Sequence, residues 1–297
     1  MNEQEIFVIP LRPAEEKEVR AHYGKGLVEG ATFASYRGDG FVLSIYRKVH
    51  GDGTKKMVIQ GPSAAREARK WGAKPEEKHR FLSPNLYPQI GSDEVGTGDF
   101  FGPVVVVASY VEEKDLPRLK ELGIGDSKEY DDAAILEVAP KLVAFLPYAL
   151  VSLKPAVLNA HPEINLNAYK AMMHDKAYQL LLAKLTGKPA AIYQDQFAPK
   201  ELYYHYLEGR SNVVKGVRFD VKGENKHPAV AAASMIARYA FLKKMEAMGQ
   251  EYGVHFPLGA SKEVERFAAS FYKKKGLAAL KETSKERFST FGRIVGK

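Results

Sequence analysis

The sequence contains no cysteine, which excludes disulfides, zinc ribbons, iron–sulfur ligation and a thiol nucleophile together. No stretch approaches the roughly 20 apolar residues of a membrane span. The longest apolar run, Val104–Ala108 with its neighbours, has the length of a strand. The start, MNEQEIFVIP, is acidic where an export signal is basic. A cytoplasmic location without membrane contact is expected. Internal repeats and low-complexity tracts are missing too. What remains is ordinary globular composition, 45% hydrophobic and 27% charged, in 297 residues, enough for one large domain or two of about 150.

The 44 Lys and Arg exceed the 36 Asp and Glu by eight, an excess that by itself does not decide for nucleic acid. Its distribution is more telling: between Arg37 and Arg80 there are 11 basic residues against 5 acidic ones. The first 73 residues read as a compact α/β unit. A helix is expected over Pro13–Gly26. Strands are expected at Ala31–Arg37 and Phe41–Lys48, joined through Gly38-Asp39-Gly40 as a hairpin, and at Lys55–Gln60. A short helix runs from Pro62 to Trp71. Residues 74–88, polar and proline-bearing, read as a linker. Residues 89–297 form the second domain. Strands are expected at Ile90–Glu94, Val104–Val111, Tyr148–Leu153, Ala190–Tyr193 and Val213–Val221. Helices are expected at Leu166–Leu185, at His227–Met248 and through Ser261–Arg293. The pattern is an α/β mixed sheet flanked by helices.

Chemistry concentrates at Asp93-Glu94-Val95-Gly96-Thr97-Gly98, where an apolar strand ends in two carboxylates and enters a glycine-bracketed turn. An isolated acidic pair is ordinarily a solvated turn, and this GxG lacks the third glycine of a dinucleotide site. Asp195 ends another short strand, and Glu224 precedes the alanine-rich helix; alone they read as a cap and a loop charge. If the strands are neighbours, Asp93, Glu94, Asp195 and Glu224 converge. Such a cluster needs cations, and oxygen-only ligands suit Mg²⁺ or Mn²⁺. Two such ions fit phosphodiester hydrolysis. His161, His174, His205, His227 and His255 show no metal-ligand spacing and are read as non-ligands, with His227 close to Glu224. Tyr203, Tyr204 and Tyr206 read as packing rather than a base-stacking platform.

Five ordered segments, IGSDEVGTGDFFGPVVVVASY, GDSKEYDD, INLNAYKAMMHDKA, YQDQF and KGENKHPAVAAASMIAR, resemble the motifs of type 2 ribonucleases H, most closely the HIII branch. The resemblance implies a ribonuclease H-like fold and endonucleolytic hydrolysis of the RNA strand of RNA–DNA hybrids, leaving 3′-hydroxyl and 5′-phosphate ends. It matches Asp93, Glu94, Asp195 and Glu224 to the family's metal-binding, catalytic carboxylates. It matches Gly96-Thr97-Gly98 to the turn that contacts ribose 2′-hydroxyls, and Lys128 to a basic substrate-binding position. Glu224 and Thr97 favour HIII, since the HII branch carries Asp and Arg there. Phe256 falls at the position of a junction-sensing tyrosine of HII enzymes. Residues 1–73 suit a TATA-binding-protein-like substrate-binding domain, with Arg47, Lys48, Lys55, Lys56, Arg66, Arg69 and Lys70 as a duplex grip. A monomer needing no protein partner is expected. An HII-like enzyme cutting at single ribonucleotides, or a hybrid-binding protein without catalysis, is the alternative.

Overall fold

Residues 6–51, 53–72, 85–124 and 130–296 are described by a computed structural model. The chain divides into two compact units, Met1–Lys78 and His79–Lys297. Among the described residues no helix is long and apolar enough to cross a membrane.

The first unit contains β1 (Ile6–Leu11), α1 (Pro13–Tyr23), β2 (Val28–Glu29), β3 (Phe33–Gly38), β4 (Phe41–Val49), β5 (Lys55–Gln60) and α2 (Ala64–Lys70). Its antiparallel sheet has the order β1-β5-β4-β3-β2. The expected hairpin is there: Gly38 pairs with Phe41, and Gly40 takes a φ of 75° that glycine permits without strain. Pro13 opens α1, whose Glu15 accepts the Arg12 backbone N–H at 2.7 Å. One core holds Ile9, Leu11, Leu43, Ile45, Met57 and Ile59 from the strands, with Val19 and Tyr23 of α1 and Ala64 and Ala68 of α2. Both helices therefore cover the same face of the sheet. The other face is open and carries Val8, Phe33, Arg37 and Lys56 exposed, with Tyr46 half-buried. The seven expected grip residues do not share one surface. Arg47 pairs with Glu29, Lys55 with Glu16 and Lys70 with Glu67; Arg66 and Arg69 lie on α2, and Lys56 sits over the Tyr46 ring.

The second unit contains β6 (Gln89–Val95), β7 (Val104–Val111), α3 (Leu116–Glu121), α4 (Asp132–Val143), β8 (Tyr148–Leu153), α5 (Pro155–Ala160), α6 (Leu166–Leu182), β9 (Ala191–Asp195), α7 (Lys200–His205), β10 (Val217–Asp220), α8 (Pro228–Tyr252), α9 (Lys262–Thr283) and α10 (Ser289–Val295). The mixed sheet has the order β10-β9-β6-β7-β8: β6, β9 and β10 run parallel, and β7 runs antiparallel to β6 and β8. Val105 and Val107 pack with α4, α8 and α9, while Val104, Val106 and Ala108 pack with α6, so both faces are covered. Of the stretch read as a linker, 74–84 lies outside the described residues. Asn85 is tied into this unit, donating to Lys226 O at 3.0 Å.

The alanines opening α8 let it lie against β6. A Cβ on Gly91 would stand 2.1 Å from Val230 N and 2.2 Å from Ala229 C, and Ser109 Oγ donates to Ala229 O at 2.7 Å. The helix expected through Ser261–Arg293 is instead two, interrupted at Ser284–Phe288, and α9 itself kinks at Gly276, whose φ of 83° is non-helical.

Candidate active site

Alternation along β6 sends its two carboxylates to opposite faces. Asp93 pairs across the sheet with Val107 on the α8 side, and Glu94 with Val106 on the α6 side. On the parallel neighbour β9, Gln194 lies beside Ser92, so Asp195 shares the face of Asp93. The two aspartates thus occupy adjacent strand ends under α8. Burial, followed by the charges of Glu94 and Asp195, pushes the Asp93 carboxyl well above the usual carboxylate range, although Ser234 on α8 and the Glu94 backbone N–H donate to it. Asp195 Oδ1 accepts Gly223 N–H at 2.9 Å, which places the half-buried Glu224 one residue from a direct contact of Asp195.

Glu94 has a different environment. Its Oε2 lies 2.9 Å from His174 Nε2, and its Oε1 pairs with Lys170 Nζ. Burial opposes the charge on Glu94, but His174 and Lys170 outweigh it and hold the carboxyl below its usual range. His174, 0% exposed, continues inward: Nδ1 is 2.8 Å from Ser92 Oγ, which meets Tyr178 OH, which donates to Gln194 Oε1 at 3.0 Å. The Phe197 ring stacks on His174 and takes Lys170 Nζ at 3.9 Å from its centroid. Sequence reading did not identify Lys170 or His174 with Glu94. The available signal was a pair of polar residues four apart, hence on one face of α6, in a helix whose buried positions are mostly apolar.

The turn after β6 also follows from its residues. Gly96 has a φ of 92°, and a Cβ there would lie 2.2 Å from Pro103 O; only glycine fits. Gly98 is exposed, and a Cβ there would meet nothing within 4 Å, so the main chain stands open beside half-buried Thr97. Lys128 lies outside the described residues. His227 is not near a ligand role: its ring stacks on Tyr193 at 3.8 Å, and its nitrogens lie 2.7 Å from Asn85 Oδ1 and 3.0 Å from Asp220 Oδ2. Tyr203 is buried against Phe219, at 4.9 Å between centroids, as packing requires. Phe256 does not present a stacking face. It is 2% exposed and lies among Phe101, Phe267 and Phe271, because the 253–258 loop turns its aromatic side chain into the core.

Among the described residues, no three His, Asp or Glu side chains are grouped closely enough to hold a metal ion. The donor set still suits one. Asp93 and Asp195 offer oxygen donors that repel each other, and the upward push on Asp93 is the strain a divalent cation would relieve.

The ribonuclease HII family model matches residues 90–291. Ribonuclease HIII of Bacillus subtilis is 42% identical over 79% of this chain and 80% of its own. Ribonuclease HIII of Bacillus licheniformis is 36% identical over 95% of each chain. Among solved structures, Bst-RNase HIII in complex with Mn²⁺ superposes with a TM-score of 0.70 at 30% identity, covering 98% of both chains.

Proposed function

This chain belongs to the ribonuclease HIII family, and on that premise we propose that it hydrolyses the RNA strand of RNA–DNA hybrids at a two-ion site held by Asp93, Glu94, Asp195 and Glu224. Endonucleolytic hydrolysis and divalent-metal dependence come with the family. The ligand set, the choice of Mg²⁺ or Mn²⁺ and the roles below are our reading. The observation that carries it is the buried Asp93 carboxyl, facing Asp195 from the adjacent strand end and raised by burial and its acidic neighbours. When bound, the ions supply Lewis-acid polarisation of the phosphodiester and a more acidic attacking water.

The protein's own contributions are separable. Ser234 and the Glu94 backbone N–H fix Asp93, and Gly223 N–H fixes Asp195. Lys170 and His174 keep Glu94 ionised and engage both its oxygens, so an ion that takes Glu94 would compete with them for it. Main-chain groups of Gly96, Thr97 and Gly98 reach the 2′-hydroxyl, the feature that tells RNA from DNA, and Lys128 holds a phosphate. Water enters at phosphorus and the ribose O3′ departs, leaving 3′-hydroxyl and 5′-phosphate ends. The first unit grips the duplex, and the enzyme works as a cytoplasmic monomer. Phe256, buried and without a hydroxyl, offers no hydrogen bond to a lone ribonucleotide, which favours runs of ribonucleotides as substrate. The test is cleavage of a matched hybrid and of a DNA duplex with one ribonucleotide, each with Mg²⁺, Mn²⁺ or EDTA. Metal-dependent cleavage of the hybrid alone is expected. Comparable kcat/KM on both substrates would favour the HII-like alternative, and cleavage that survives EDTA would remove the metal site.

A further inference from the structure

Lys285, in the loop after α9, is 0% exposed, a placement a charged side chain adopts only with partners. Its Nζ donates to Asp99 O at 2.7 Å and to Phe101 O at 3.4 Å. Its backbone N–H donates to Phe100 O at 3.0 Å. Three consecutive carbonyls, directly after the Gly96–Gly98 turn, therefore end on one residue. A sheet edge could not take all three, since successive carbonyls of a strand point opposite ways. An ammonium, with three donors, can bridge the outer two. The stretch is pinned from other sides as well: Gly259 N–H donates to Asp99 Oδ1 at 2.6 Å, Phe100 N–H to Gly259 O at 2.9 Å, and Gly102 N–H to Thr283 O at 2.8 Å. Gly96 is fixed by its contact with Pro103, but Gly98 touches nothing within 4 Å of its Cβ position. Among the described residues, the exposed half of the turn is thus held from its C-terminal end.

We propose that Lys285 is a positioning residue that, by gathering the carbonyls of Asp99, Phe100 and Phe101, sets the main-chain geometry of the Gly96–Thr97–Gly98 turn and so the enzyme's hold on ribose 2′-hydroxyls. It rests on the reading of that turn given above. The chemistry of the amine agrees. Burial brings the Lys285 ammonium down to about 7, with Asp99 from the turn opposing the fall and Arg287 from its own segment adding to it. Above that value the neutral amine is a weaker donor, and the bridge slackens.

Lys285→Met removes the Nζ donors and keeps most of the stem. With Mg²⁺ below neutral pH, its KM for a matched hybrid should rise about tenfold while kcat stays within about twofold, the signature of lost uniform binding. A lysine needed only for folding would lower the active fraction, reducing kcat at unchanged KM, and that result overturns the proposal. If the variant does not fold, amide exchange in the unaltered protein decides. Corrected for intrinsic chemistry and referred to β7 amides, protection of Phe100 and Gly102 should fall at least about threefold between about pH 6 and about pH 8.5; constant protection overturns the bridge. An unaltered protein that leaves hybrids uncut overturns the functional reading, while the exchange result still judges the bridge by itself.

Discussion

In the first unit, β4 begins by alternating buried and half-buried residues, whereas in the second every residue of β7 is buried. The difference follows from helix placement. α1 and α2 share one face of the first sheet, leaving the other to water or a ligand, while α6 and α8 close the two faces of the second. A sheet with an open face can recognise a large partner across its strands, and Phe33, Arg37, Tyr46 and Lys56 suit a duplex. A sheet covered on both faces has only its strand ends to offer, and there Asp93 and Asp195 lie. On the function proposed above, binding and chemistry divide along that line.

The largest break in this division should come at the strand ends. Asp93→Asn or Asp195→Asn should lower kcat on a hybrid by on the order of 10³-fold or more while the Kd of the hybrid, measured by anisotropy, is unchanged or tighter. Loss of binding together with turnover would place recognition at the same residues as chemistry. Next come the cores, tested by denaturation followed separately for each unit. Val105→Ala and Val106→Ala, neighbours on opposite faces of β7, should each cost about 2 kcal/mol. In β4, Ile45→Ala should cost about 3 kcal/mol and its neighbour Ser44→Ala under about 0.5 kcal/mol. Equal costs within β4 would mean that its outer face is covered. A smaller effect is expected for Arg37→Gln with Lys56→Gln, which should reduce the slope of log affinity against log salt by up to about 2 and leave kcat unchanged.

The smallest effects are on pH, and the two units should respond at opposite ends of the scale, each gaining stability as the pH rises. In the first, burial opposes charge on Glu67, but Lys70 and Tyr23 hold its carboxyl below the usual 4.5. The stability this confers is complete above 4.5 and is lost as the pH falls through the lower folded-state value; Glu67→Gln should flatten that acid limb. In the second, Lys285 binds its proton less readily folded than unfolded, so its penalty is full below about 7 and lifts as the pH climbs toward 10.5. Comparing the alkaline limb of thermal melts with that of Lys285→Met isolates this contribution, and identical limbs would mean the lysine binds its proton as readily folded as unfolded.

Local chemistry decided how far the sequence could be read. The hairpin at Gly38–Gly40 and the strand Val104–Val111 were legible because each is specified by its own residues, a φ only glycine favours and a mostly apolar run opening on four valines. α4 escaped notice: Pro140 sits inside it, and its N-terminal turn, capped by Asp131, begins within a run of acidic residues. α3, α5 and α7, at six residues each, are too short to show a helical period. At the site, Asp93, Glu94 and Asp195 were visible as carboxylates at strand ends, but the face each takes was not, because alternation has meaning only once the covering helices are placed. Lys170, His174, Ser234 and Lys285 act across 76 to 186 residues of sequence, and no spacing along one chain signals a partner at that range.

At Gly91 the strand bearing Asp93 and the helix bearing Ser234 meet main chain to main chain. A junction of side chains loosens with heat as rotamers begin to exchange, but this one has no rotamers at all. The separation of β6 from α8 is accordingly a property of bond lengths and van der Waals radii. Warming should leave the seat of the Asp93 carboxyl almost unaltered until the second unit melts as a whole, so activity should persist on heating and then vanish at the same temperature as the fold.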